Sequence, residues 1–170
     1  MTTGIDDRPD IAVQTEEYTR LLGFPRGWEL RDRSLELAEW ARPREVDYVV
    51  AAEARGFLLG AALALELDAG FVPARKPGKL PSETVSAEYI LEYGVDALEM
   101  HADALADGAR VLIHDDLLAT GGTAAALAEL VESLGGTVAG CAFLVELAFL
   151  GGREPLAGYD VHSLISYDGE

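Results

Sequence analysis

Thirteen residues, VLIHDDLLATGGT at 111–123, constrain this chain more than any other stretch. They read as a buried strand at 111–113 that ends in two carboxylates, Asp115 and Asp116. A short loop at 117–122 then leads to a helix starting near Thr123. A short apolar run without alternation suits a strand covered on both faces of a parallel sheet. A helix opening on Gly-Gly-Thr presents unpaired backbone N–H groups and a positive dipole end to an anion. Neighbouring carboxylates accept hydrogen bonds from sugar hydroxyls. The stretch therefore suits a sugar phosphate. A lone Gly-Gly turn would carry little weight, but the whole string is far more specific. Asp115 and Asp116 are adjacent, so in an extended strand they point to opposite faces and converge only where the chain is already turning.

The rest of the chain repeats the strand-and-helix alternation. Residues 48–52 and 70–74 predict strands, and so do 137–145 and 161–165. Residues 57–67 predict a helix with Leu58, Ala61, Ala62 and Leu65 on its inner face. The helix after Thr123 carries the stripe Leu127, Leu130, Val131 and Leu134, and Gly135-Gly136 ends it. Residues 1 to about 14 read as a loose arm, 15–22 as a short helix, and 34–41 as two helical turns capped by Ser34. Residues 97–104 are compatible with an edge strand. The segment 76–97 is rich in Pro, Gly, Ser, Glu and Tyr without a strong period, and such a long loop is usually functional, often a lid. The pattern predicts an α/β fold with a mainly parallel central sheet flanked by helices.

Composition narrows the function. At 170 residues the chain suits one domain with a sizeable core. A net charge of -17 and a pI near 4.4 argue against nonspecific binding to nucleic acid or an anionic membrane. They leave room for a small polyanion held by a few local cations. The single cysteine, Cys141, lies in an apolar run and reads as a buried core residue of a reducing compartment. The N-terminus lacks the apolar core of a signal peptide and no apolar run spans a bilayer, so a cytoplasmic location is expected. His101, His114 and His162 show no metal-ligand spacing, and His114 reads as a structural core residue. Trp28 and Trp40 read as packing residues.

Three further groups can join the acids at the carboxyl ends of the strands, where ligands gather in open α/β sheets. Glu53-Ala54-Arg55-Gly56 follows the first strand. Gly56 permits close backbone approach, and Arg55 can pair with a phosphate. Arg75-Lys76-Pro77-Gly78-Lys79 contains both lysines of the chain, which a randomly solvated face of so acidic a protein would not collect. Tyr89 to Gly94 places aromatics and the carboxylate of Glu92 where a mobile loop can close over a flat base and exchange a proton with it.

Together EARGF (53–57), RKPGKLP (75–81), LEYG (91–94), HDDLLATGGT (114–123), LVEL (144–147) and GGREPL (151–156) resemble the adenine phosphoribosyltransferases, a type I phosphoribosyltransferase family. The resemblance implies purine salvage: adenine and 5-phosphoribosyl 1-pyrophosphate give AMP and pyrophosphate, with Mg²⁺. It implies a core at 46–170 and an N-terminal arm and small hood at 1–45, in one domain. Ala119, Thr120, Gly121, Gly122 and Thr123 would hold the 5′-phosphate, and Asp115 and Asp116 the ribose hydroxyls. Arg55, Arg75, Lys76 and Lys79 would hold Mg²⁺–pyrophosphate, with no direct protein ligand to the metal, which would sit with the pyrophosphate near Asp115 and Asp116. Glu92 would be the catalytic acid/base, and Tyr93 part of the lid. The base would lie near Arg31 in GWELRDRS (27–34), which looks like the hood motif. Two departures stand out: the helix after that motif looks shortened, and His114 takes a usually apolar position. A homodimer is expected from the family. The alternatives are a transferase for hypoxanthine or guanine, or a regulator that binds phosphoribosyl pyrophosphate without chemistry.

Overall fold

The computed structural model describes the backbone of residues 27–91 and 94–169, with side-chain surroundings for 31–89 and 95–169. The predicted arm, the helix at 15–22, Glu92 and Tyr93 lie outside the described residues.

Five parallel strands form the central sheet: β1 (Tyr48–Ala52), β2 (Gly70–Ala74), β5 (Arg110–Leu118), β6 (Thr137–Leu147) and β7 (Val161–Tyr167). Their order is β2-β1-β5-β6-β7. Helices α1 (Gly27–Ala41) and α2 (Gly56–Leu67) cover one face, where Leu37, Ala38, Leu63 and Ala64 pack on Val49, Leu112 and Ala142. Helix α3 (Gly122–Ser133) and an antiparallel hairpin, β3 (Thr84–Leu91) with β4 (Gly94–His101), join the core of the other face. There Leu127, Leu130, Leu98 and Met100 share a cluster with Val50, Val111, Ile113 and Phe143. Alternate residues of β1 and β5 thus feed opposite layers, so these strands carry no polar alternation. Each such fully buried side chain contributes about 1.5–3 kcal/mol. Cys141 is buried and Trp40 packs against His162, ring centroids 5.0 Å apart, as expected for core and packing roles. No helix among the described residues is long and apolar enough to cross a membrane.

Four expectations need correction. Ser34 is not an N-cap: α1 begins at Gly27, and the buried Ser34 hydroxyl donates to the Arg31 carbonyl at 2.8 Å within the helix. The stretch GWELRDRS is therefore the first half of a 15-residue helix, of which only residues 35–41 follow that motif. Its first half is polar, with an Arg33–Glu36 pair at 3.0 Å, so an apolar period could not reveal it.

The inner face of α2 is also different. Gly56, Leu59, Gly60, Leu63 and Ala64 are buried, while Leu58 and Leu65 are 51% and 84% exposed. This helix is apolar nearly all round, so periodicity could not choose a face. The sheet selects the small residues at 56, 60 and 64, which let the backbones approach.

Much of segment 76–97 is ordered as strand, and residues 97–104 do not form an edge of the central sheet. They contain the end of β4, which pairs with β2's extension through the Arg75–Glu99 bridge. Val85, Ala87 and Tyr89 join the core on one side of β3, while Ser86 and Glu88 are exposed. A period of two was present, but alanine and tyrosine carried it weakly.

Candidate active site

Strand β5 does not stop at Ile113 but continues to Leu118, so both acids lie inside it. They nevertheless meet. The Asp116 N–H donates to Asp115 Oδ1 at 2.9 Å, and Arg55 Nε donates to Asp116 Oδ2 at 2.7 Å. Gly56 makes this closeness possible, since a Cβ there would fall 2.9 Å from Asp115 Oδ1. Asp116 is buried. Lost solvation holds the Asp115 carboxyl well above the usual carboxylate range, and its hydrogen bond and charge interaction with Asp116 add to the effect. The Asp116 backbone N–H and Arg55 oppose it.

The cationic loop after β2 is fixed by carboxylates that the sequence did not single out. Glu53 Oε2 accepts from Arg75 Nε at 3.0 Å and from the Lys76 N–H at 3.1 Å. Glu99 Oε2 accepts from the Gly78 N–H at 3.0 Å, and Lys76 Nζ pairs with Asp96. Lys79 is exposed at the end of the same turn, its carbonyl accepting from Arg75 at 3.3 Å. Tyr89 extends the network: its hydroxyl donates to Asp96 Oδ2 at 3.2 Å. The groups 53–56, 75–79, 115–116 and 119–123 thus share the end of the sheet beside the hairpin. Glu53 is legible in hindsight as the acid flanking Arg55, and Tyr89 as an aromatic of the segment expected to act as a lid, whereas Asp96 carries no local signal.

Residues 119–121 turn between β5 and α3. Gly121 has φ +82°, and a Cβ there would lie 2.2 Å from the Gly152 carbonyl oxygen. No side chain caps this end of α3, which leaves its first backbone N–H groups available to an anion. Arg31, expected near the base, is exposed on α1. Among the described residues no cluster of three or more His, Cys, Asp or Glu is placed to hold a metal ion. The Asp115–Asp116 pair suits a Mg²⁺ that takes most of its ligands from substrate oxygens and water.

His114, just before the acids, is fully buried. Its Nδ1 lies 2.9 Å from the Ala142 carbonyl, so that nitrogen carries the proton, and Nε2 finds no partner among the described residues. Burial pulls its pKa down to about 4 from the ordinary 6.5. Between those values the unfolded chain binds the proton and the folded chain does not, so this group's contribution to stability falls as pH drops from 6.5 toward 4. The loss is about 3 kcal/mol. The raised carboxyl of Asp115 acts with the opposite sign. His114→Leu is expected to be at least as stable as the parent at pH 7 and to lose most of this acid sensitivity. Urea unfolding at stepped pH measures it, and an unchanged acid slope would contradict the assignment.

Comparison with known proteins follows the same lines. The phosphoribosyl transferase domain family matches residues 33–163. An adenine phosphoribosyltransferase of Rubrobacter xylanophilus is 64% identical over 164 residues, covering 96% of this chain and 88% of the relative. The crystal structure of adenine phosphoribosyltransferase from Thermoanaerobacter pseudethanolicus is similar at TM-score 0.83 and 55% identity, over 88% of this chain and 86% of that one. A Saccharomyces cerevisiae adenine phosphoribosyltransferase, solved with adenine and an iminoaltritol bisphosphate, aligns at TM-score 0.74 and 46% identity. That match covers 81% of this chain and 78% of the yeast chain.

Proposed function

The chain belongs to the phosphoribosyltransferase family, and from that premise we propose that it transfers the phosphoribosyl group of 5-phosphoribosyl 1-pyrophosphate to adenine in purine salvage. One observation carries this reading beyond family membership. The Arg55–Asp116–Asp115 cluster and the Arg75–Lys79 loop share the sheet edge with the uncapped start of α3. One site can therefore grip both ends of a sugar bearing phosphate at one end and pyrophosphate at the other.

Backbone N–H groups of Ala119–Thr123 receive the 5′-phosphate, and Asp115 and Asp116 accept hydrogen bonds from the ribose hydroxyls. Arg55, Arg75, Lys76 and Lys79 receive the pyrophosphate. Three of these cations lean on carboxylates, in pairs at least one-third exposed on the cation side. Such pairs are worth about 0–1 kcal/mol, so exchanging a carboxylate for a pyrophosphate oxygen costs little. Mg²⁺ held with the pyrophosphate near Asp115 and Asp116 would supply further positive charge to the leaving group. The bond from the anomeric carbon to pyrophosphate breaks as the bond to the base nitrogen forms. The charge that builds at carbon and on the leaving oxygens meets preplaced partners. Glu92 takes the proton that the base nitrogen loses, Tyr93 helps the lid exclude water, and the base lies on the Arg31 side.

The protein is proposed to be cytoplasmic and to act as a homodimer. Leu58 and Leu65, seven residues apart on α2, are the exposed apolar surface such a dimer would cover. Sedimentation that returns only the 18.1 kDa species at micromolar concentration would remove the dimer.

The test of function is direct. Purified protein with phosphoribosyl pyrophosphate and Mg²⁺ is given adenine, hypoxanthine and guanine in turn. AMP is expected from adenine. IMP or GMP without AMP would overturn the base assignment, and no nucleotide from any base would overturn the transfer.

A further inference from the structure

Strand β6 ends with a buried carboxylate, Glu146, that no step above uses. It stands opposite Leu118, the last residue before the phosphate loop. Arg153 grips it with both arms of its guanidinium, Nε to Oε1 and Nη2 to Oε2, each at 2.7 Å. The Ser163 hydroxyl on β7 adds a third bond at 2.6 Å. Arg153 foremost, then Ser163, holds this carboxyl below the usual range against the cost of burial. Arg153 also donates to the Val161 carbonyl at 3.2 Å, tying its turn to β7.

A buried ion pair is poor evidence for stability, because well-packed apolar side chains often do as well. A bidentate pair does fix direction and plane. What this one fixes is the turn immediately before Arg153. A Cβ on Gly152 would lie 2.3 Å from the Ala119 carbonyl oxygen and 3.0 Å from Leu118, and one on Gly121 would lie 2.2 Å from the Gly152 carbonyl. The two loops touch backbone to backbone with no side chain between them. A displacement of 151–153 therefore passes directly to 119–121.

We infer that Glu146 and Arg153 are positioning residues for the 5′-phosphate loop, acting through Gly152. The inference rests on the transferase reading above and adds to it a buttress on the side of the loop away from the lysines. Small shifts of an anion cradle weaken every N–H contact at once, so the effect falls on one ligand rather than on the whole site.

Calorimetric titration with two probes, ribose 5-phosphate and inorganic pyrophosphate, tests it. In Glu146→Gln and Arg153→Lys, ribose 5-phosphate binding is expected to weaken about tenfold while pyrophosphate binding stays within about twofold. Ser163→Ala, a gentler loss of one bond, is expected to show about a two- to threefold effect of the same selectivity, and it carries the test if Glu146→Gln fails to fold. In steady-state assays the KM for phosphoribosyl pyrophosphate should rise while that for adenine does not. Unchanged ribose 5-phosphate binding in folded variants would overturn the inference, as would equal weakening of both probes. Wild-type protein that forms no AMP would sink the transferase reading instead, so the two failures are distinguishable.

Discussion

Asp116→Asn is expected to lower kcat/KM by about a hundredfold or more while leaving the fold as stable as the parent, or more so. The two effects have opposite signs because the site sets two carboxylates side by side where solvation is poor. Asp116 is buried and helps hold the Asp115 carboxyl above its ordinary range. Asparagine keeps the shape and removes that repulsion. The Arg55 bond at 2.7 Å is weakened, but Arg55 is 60% exposed, so the loss is at most about 1 kcal/mol. Catalysis loses more: a hydrogen bond from a ribose hydroxyl to a charged acceptor is worth about 1.5–3 kcal/mol, and 2.7 kcal/mol is roughly a hundredfold. Urea unfolding and steady-state kinetics on one preparation read both. Retention of kcat/KM within about threefold would remove Asp116 from the sugar site. A loss of more than about 2 kcal/mol in stability would show that the pair stabilises the fold.

Glu92→Ala is expected to cut kcat by ~10²–10⁴ with little change in the KM for phosphoribosyl pyrophosphate, the range typical of a positioned acid or base. Glu92 follows β3 and precedes β4 in the chain, and the hairpin packs Val85, Ala87 and Tyr89 into the same core as Leu127 and Leu130 of α3, the helix that follows residues 119–121. Because the base form is the one that accepts the proton, parent kcat should fall on the acid side, and the variant should lose that limb. A variant with unchanged kcat, or one whose KM alone rises, would take Glu92 out of proton transfer.

Legibility varied along the chain for physical reasons. β1 was readable to the residue, because a strand buried on both faces is a continuous apolar run, and the edge strand β2 by its short apolar run beside Gly70. Helix α3 was readable because its stripe is clean and Gly135-Gly136 stops it. Helix α2 was readable as a helix but not by face, since a nearly uniform apolar cylinder has no preferred side until the sheet supplies one. The first half of α1 and the strand β3 were hidden, one by charge and the other by small side chains. Within the site, cations and acids announced themselves by type and crowding. Glu53, Asp96 and Glu99 did not, because each depends on a partner about twenty residues away, and Glu146 and Arg153 did not, because the turn between them carries no period that predicts their pairing.

Two classes of information can be separated here. The order of residues alone determined the α/β class, the glycine-rich turn after Asp115-Asp116 and the kinds of group the chain offers near it. Those properties are local: a glycine's freedom, a carboxylate's charge and an apolar run's length do not depend on what lies across the fold. Tertiary structure alone decided that Asp115 and Asp116 share one environment, that Glu53 clasps the lysine loop and that Gly152 seats the phosphate loop. The last two are contacts between strand ends far apart in the chain, and the first depends on Arg55 and Gly56 from the end of another strand. All are brought together only when five parallel strands line up their carboxyl ends.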